Sequence, residues 1–300
     1  MVRGNLTMKQ KKTVGERIFD ICNILFMLLL MLITLYPFYY IVMASFSAPE
    51  LLIRHSGVIL KPVGFSTAGY RAVMMNKDIY TGYLNTIFYV VAGTGLSLLF
   101  SSFLAYALSR KDVKYSSQIM VYIVITMFFS GGMIPLYLVV KGCGLLNTRL
   151  APVLPILINV YNLIVMRTSF MSIPQSLVEA ARIDGAGDFC IWAKVVMPLS
   201  TAAVAVFILF TGVGYWNSWF SAMIYIKDRA KFPLQLFLRE ILVTSSTNDM
   251  IDNAATGQEA SLEEVIKYAT IIVATAPILM VYPFLQKYFV KGVMVGAVKG

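Results

Sequence analysis

Apolar residues run along this chain in long, nearly unbroken stretches, without the strict alternation of a half-buried strand or the one-sided stripe of a surface helix. Six stretches, 18–45, 83–109, 118–140, 150–170, 199–226 and 265–285, are long enough to cross a hydrocarbon core of about 30 Å, which takes about 20 helical residues. Lipid offers no partner to a backbone N–H or C=O, and runs this continuous do not suit barrel strands. The pattern therefore predicts an all-α integral membrane protein of six transmembrane helices. Pro152 and Pro155 interrupt the first turns of the fourth run. Between runs four and five lies a polar segment, EAARIDGAGDFCIWAKVVMPLS, residues 179–200, in a chain that elsewhere avoids charge.

Composition agrees with the pattern: 58% of residues are hydrophobic and 13% charged, with a mean hydropathy of +0.75. A soluble fold of this length cannot hide so much apolar surface. The net charge of +10 would suggest a nucleic-acid partner in a soluble protein, but here the basic residues flank the spans and read as topology instead. With the N-terminus inside, the inner segments carry 14 of the 25 Lys and Arg residues on less chain than the outer ones. Residues 1–17 and the turn SRKDVK (109–114) contribute most clearly, so the expected layout is N-in and C-in in a bacterial plasma membrane. Residues 1–17 form a cytoplasmic segment; 18–300 form the membrane domain, with its core at about 80–289. The first run is far longer than a signal-peptide core of about 7–15 residues, so it is read as a retained span. Two longer stretches, 46–82 and 227–264, face outward, and the polar part of the second is expected to be mobile. Cys22, Cys143 and Cys190 are too far apart for a metal or disulfide framework, and the lone His55 removes any two-histidine zinc site.

The central parts of the spans contain no Asp, Glu, Lys, Arg or His, which argues against an ion-coupled carrier or an intramembrane hydrolase. No GxxxxGK[ST] loop is present to grip nucleotide phosphates. Uphill transport would need energy from a partner. In the second run Gly93, Ser97, Ser101 and Ala105 recur every four residues, a stripe that lets helices approach closely, more readily within the bundle than at a subunit seam. Asn159 and Asn162 share a face of the fourth run, where amides serve equally as interhelical glue or as pathway lining. Tyr215, Trp216 and Asn217 sit toward the outer end of the fifth run, in a position that suits an interfacial aromatic belt and also a sugar-stacking surface.

The 170–198 segment reads locally as a short helix, with Ser172 and Gln175 as a capping box, Pro174 in the first turn, and Gly185 and Gly187 as the stop. Ala180 and Ala181 offer a flat surface to another protein, and Asp188 can cap a second short helix that Pro198 separates from span five. Local pattern alone leaves open whether this is a docking helix or an amphipathic loop lying on the membrane.

Glu179-Ala180-Ala181, three residues, Gly185, nine residues, Val195, one residue, Met197 and Pro198 resembles the EAA motif, EAA-x3-G-x9-I-x-LP, with Val for Ile and Met for Leu. That motif belongs to the membrane subunits of ATP-binding-cassette importers. AYALSRKD, YWNSWFSAMIY and the tail KYFVKGVMVGAVKG extend the similarity to carbohydrate-uptake permeases of the maltose type, and more narrowly resemble the MalG-like partner, in an LplC/YtcP-like subgroup. The resemblance implies a type I importer fold and a heterodimer with a second permease. It also implies two cytoplasmic ATPase subunits, which bind the ATP and Mg, and an extracytoplasmic solute-binding protein or lipoprotein. This chain would itself bind no cofactor and catalyse no reaction. Glu179, Ala180, Ala181, Arg182, Asp184, Gly185 and Ala186 would form the coupling helix that docks on the ATPase. The tail 286–300, with Lys291, Gly292 and Lys299, would reach the ATPase interface, and the 227–264 segment would meet the binding protein. For a hydroxyl-rich oligosaccharide, Asn159, Asn162, Tyr215, Trp216 and Asn217 are candidate pathway residues. A permease for a peptide or amino acid, or a receptor that binds partners without transporting, are the competing expectations.

Overall fold

In the computed structural model, which describes residues 13–251 and 257–297, every named element is helical. Extended backbone pairs only at an isolated bridge between Ser47 and Phe65 among the described residues. The helices are α1 (Val14–Ser45), α2 (Pro49–Arg54), α3 (Ala68–Met75), α4 (Lys77–Ser109), α5 (Ser116–Phe128), α6 (Met133–Gly142) and α7 (Val160–Met171). They continue as α8 (Gln175–Ile183), α9 (Asp188–Leu199), α10 (Thr201–Trp216), α11 (Phe220–Tyr225), α12 (Leu234–Ile251) and α13 (Gly257–Ala297).

Several runs fold differently from the expectation of six continuous spans. Among the described residues, three helices are long and apolar enough to cross a membrane, in α1, α4 and Leu262–Val281 of α13; bent pairs raise the number to five at most. The third run breaks at 129–132, so that α5 and α6 meet at 116°. Gly131 and Gly132 occupy the break, Gly132 at φ +89°, a conformation that disfavours a side chain. The fourth run yields only the 12-residue α7, preceded by a 3₁₀ turn at Leu154–Ile156, because Pro155 supplies no N–H for an α-helical start further back. The fifth run bends by 86° at Ser200 and stops at Trp216, before the short α11. The segment expected to be mobile holds α12 as far as Ile251 and resumes in α13 at Gly257; residues 252–256 lie outside the described set.

Two compact units can be distinguished, one of residues 1–70 with 255–272, the other of 71–254 with 273–300. In the first, Thr13 and Glu16 form a reciprocal capping box that starts α1. Ala44, Leu52, Ile59 and Val265 make its small core, with Tyr40 edge-on to Tyr268. Most of α1 buries nothing: Leu25, Leu29 and Leu32 are each more than half exposed, so its apolar surface belongs to lipid or to another chain.

The second unit is built around α4, against which α10 and α7 pack. The small-residue stripe marks the contact. Gly93 lies so close to the Tyr215 ring that a Cβ would stand 2.6 Å from Cζ, and Ser97 Oγ is 3.2 Å from the Tyr215 hydroxyl. Ser101 and Ala105 are fully buried further along. The stripe thus serves packing within the bundle.

Candidate functional site

The charged segment after α7 folds into α8 and α9. Ser172 does not cap α8. It terminates α7, its hydroxyl donating to Ser169 O (2.7 Å), and Pro174 takes the N-cap position with no side-chain bond. The stop is as expected: Gly185 has φ +81°, Gly185 N–H donates to Arg182 O and Ala186 N–H to Ala181 O. These bonds make a Schellman turn, and the space around Gly185 is open, so backbone conformation rather than crowding requires glycine. Gly187 is the N-cap of α9, while Asp188, expected to be the cap, lies in the first turn and sends its carboxylate elsewhere.

α9 tightens the joint to α10. Trp192–Val196 is a π turn, with Met197 N–H donating to Trp192 O. Pro198 has no N–H for the Lys194 carbonyl, and this missing bond favours the wider turn. Trp192 stacks on Phe103 of α4 with centroids 4.1 Å apart, and Phe189 adds a third ring. Ile191, Trp192 and Val196 join Tyr106, Leu163, Met166 and Phe170 in one core. Val195 and Met197, the two places where the chain departs from the motif, pack against that same core, which needs apolar bulk and tolerates either side chain.

A four-membered charge network ties this segment to the Ser109 end of α4. Arg110 pairs with Asp112 and, at 2.5 Å, with Asp188; Arg182 reaches Asp112 Oδ2 at 3.3 Å and Asp188 Oδ1 at 3.4 Å. Arg167 Nε also donates to Leu108 O at 2.9 Å. Hydrogen bonds from Arg110 hold the Asp112 and Asp188 carboxyls below the usual carboxylate range, and both carboxylates raise the Arg110 guanidinium above its own. Arg110 and Asp112 were not singled out in the sequence because the pairing joins two turns 70 residues apart. Arg182, expected at a docking surface, is turned back into this network.

The two faces of α8 are therefore distinct. Val178 and Ala181 pack on the core, with Ala186 beyond the turn. Leu177, Glu179, Ala180, Ile183 and Asp184 are exposed, Ile183 to 87%. Glu179 forms no ion pair with any described residue and borders a small cleft beside Lys111 and Gln175. Lys291 and Gly292 fall within the helical backbone of α13, and Lys299 lies outside the described residues.

The five pathway candidates make the following contacts within the chain. Asn159 caps α7, its Oδ1 accepting from Asn162 N–H, and Asn162 Nδ2 donates to Thr211 Oγ1 of α10 at 3.3 Å, the glue role. Asn217 Nδ2 donates to Val213 O, closing α10. Tyr215 and Trp216 are buried, which does not suit an interfacial aromatic belt; Trp216 is edge-on to Tyr83 and borders an apolar cavity of about 480 Å³.

At the Lys77 end of α4 lies a second polar cluster that the sequence pattern did not reveal. Asn85 Nδ2 donates to Ala230 O and Phe232 O (2.8 and 3.1 Å), while its Oδ1 accepts from Arg149. Tyr89 donates to Lys231 O, and Thr86 Oγ1 accepts from Leu234 N–H. Asn147, at φ +61°, accepts from the N–H groups of Lys227 and Asp228. Lys231 pairs with Asp228 and holds its carboxyl below the usual range.

This architecture is that of a multi-helix membrane transport component, and the family model described as "Binding-protein-dependent transport system inner membrane component" matches residues 97–295. The chain belongs to that family. It is 43% identical over 287 residues to the polygalacturonan/rhamnogalacturonan transport system permease protein YtcP of Bacillus subtilis (strain 168), covering 95% of this chain and 99% of that one. To protein LplC of the same organism it is 41% identical over 292 residues, 96% and 97% of the two chains. Among solved structures it resembles a chain of a bacterial ABC transporter involved in the import of the acidic polysaccharide alginate. That match has a TM-score of 0.84 and 34% identity, over 94% of this chain and 100% of the other.

Proposed function

We propose that this chain is one of two permeases in an ATP-binding-cassette importer that moves an oligosaccharide delivered by an extracytoplasmic binding protein. The observation that carries the reading is α8: a short helix anchored on one face by Val178 and Ala181 and exposed on the other at Leu177, Ala180 and Ile183, in register with the EAA motif. An 87%-exposed isoleucine beside an unpaired Glu179 is a docking surface for another protein. Relatives named for polygalacturonan/rhamnogalacturonan, alginate and arabinooligosaccharides support a saccharide substrate, with acidic saccharides prominent among them.

The chain then has both termini in the cytoplasm, and its six crossings include the broken third and the short fourth. α8 docks on one of two ATPase subunits, which bind ATP and Mg. Closure of the ATPase pair moves α8 and α9, and the aromatic stack on Phe103 passes that motion to α4 and its neighbours. The tail with Lys291, Gly292 and Lys299 reaches the ATPase interface, and the segment after α11 faces the binding protein. Glu179→Lys or Gly185→Asp is expected to abolish uptake while the chain still inserts and its partner permease still co-purifies. Uptake that survives both changes would remove the coupling role. An oligosaccharide panel in an ATPase assay of the reconstituted importer tests the substrate class, and stimulation by peptides alone would overturn it.

A further inference from the structure

Near the Ser109 end of α4, one cation stands apart from the network. Arg167 of α7 is half-buried, spends its Nε on Leu108 O, and has no carboxylate within 4.0 Å among the described residues. The two carboxylates at this end of α4, Asp112 and Asp188, are paired with Arg110 and Arg182. Arg167 also borders a groove of about 500 Å³ that runs along α5. Its walls are Met120, Val121, Val124, Ile125 and Phe128, and its one hydroxyl, Ser117, lies at the end where α5 begins. A half-buried guanidinium calls for an anion. The groove restricts which anion: a saccharide carboxylate would bring hydroxyls along a wall that offers them no partner, at a cost. An acyl chain fits that wall, since a 13-residue helix supplies about 20 Å of apolar length at about 1.5 Å per residue. We propose that this groove holds an anionic phospholipid, its phosphate on Arg167 and the Ser117 hydroxyl, its acyl chain along α5. The inference uses the orientation given under Proposed function, which puts the site in the inner leaflet, where basic pockets between helices meet anionic headgroups.

The test uses the complete importer in nanodiscs, with Val124→Trp as a reporter inside the groove and brominated-acyl lipids as probes. Quenching of that tryptophan by brominated phosphatidylglycerol is expected at about a fivefold lower mole fraction than by brominated phosphatidylcholine, the ratio that one basic group gives at an anionic surface. Arg167→Met should erase the preference. Should that variant fail to assemble, the comparison of the two lipids with Arg167 in place still decides. Equal quenching by both lipids would reduce the groove to ordinary annular contact and overturn the proposal. No quenching by either would mean that protein covers the groove, and relief of quenching by an acidic oligosaccharide would assign it to substrate; each outcome also overturns it. Because the readout is lipid contact, failure here leaves the transport reading untouched, and failure of the uptake tests leaves this one standing.

Discussion

α4 is held at both ends by polar contacts to distant parts of the chain; ion pairs occur at both, with Asp78 bound to Arg229 at the Lys77 end, but the most buried polar group differs. At the Lys77 end the key group is a neutral amide: Asn85, 3% exposed, bonds two carbonyls and Arg149, and Thr86 and Tyr89 close the same turn. At the Ser109 end the contacts are ionic and wet, with the Asp112 and Asp188 side chains 51% and 58% exposed. Buried amide bonds are costly to break because each partner is left unsatisfied out of water. Exposed ion pairs are weak, screened and tolerant of displacement. The difference concerns the polar contacts alone: the loop bearing Ala230 and Phe232 is locked by buried bonds, while the α8–α9 segment adds exposed, weak ion pairs to the Trp192–Phe103 stack and the buried Ile191 and Val196.

That contrast can be broken experimentally. Asn85→Ala is expected to have the largest effect, a destabilisation of about 2 kcal/mol from the orphaned carbonyls and Arg149, read as a lower thermal midpoint in detergent. A loss no greater than that of an exposed substitution would equate the two ends. Gly185→Ala should cost about 1 kcal/mol, because the φ of +81° persists while the new Cβ meets no neighbour. Amide exchange in α8 that stays at its native rate in this variant would show that the Schellman turn does not set the helix end. Asp188→Asn should cost about 0.5 kcal/mol and become neutral above roughly 0.5 M salt, as screening predicts. A salt-independent penalty would mean that the network is effectively buried.

The smallest effect expected is that of pH. The carboxyls of Asp112 and Asp188 are depressed in the folded chain, so their contribution is fully present above the unfolded carboxylate pKa of about 3.9 and disappears as pH falls through the lower folded value. Between pH 8 and about 5 the thermal midpoints of the native chain and of Asp188→Asn should therefore run parallel. Convergence of the two within that window would contradict the ion-pair geometry.

The membrane class and the position of the short helix α8 were legible in the sequence, because both are written in local signals: continuous apolar runs, and a short pattern ending in glycine and proline. What was not legible depends on contacts between distant residues. Arg110 looks like a topology charge until Asp188, 78 residues on, is placed against it. Asn159, Asn162 and Asn217 look like pathway amides because an amide in an apolar run advertises need, and the sequence does not say whether a ligand or a helix end meets it. The break between α5 and α6 was the most readable of the missed features. Ser130-Gly131-Gly132 is turn chemistry inside a run whose mean hydropathy hid it.

The π turn at Trp192–Val196 has a consequence for how such a chain tolerates length changes. One extra residue in a turn acts as a phase offset of about 100° between the helix before it and the helix after it. The segment that carries Asp188 and the segment that carries Pro198 are therefore indexed separately, each free to keep its own face on the core. Deleting Ala193 would restore an ordinary α turn with both flanking segments still on the core, and would shorten the nine-residue spacing from Gly185 to Val195 by one, so the turn and the motif can be tested against each other.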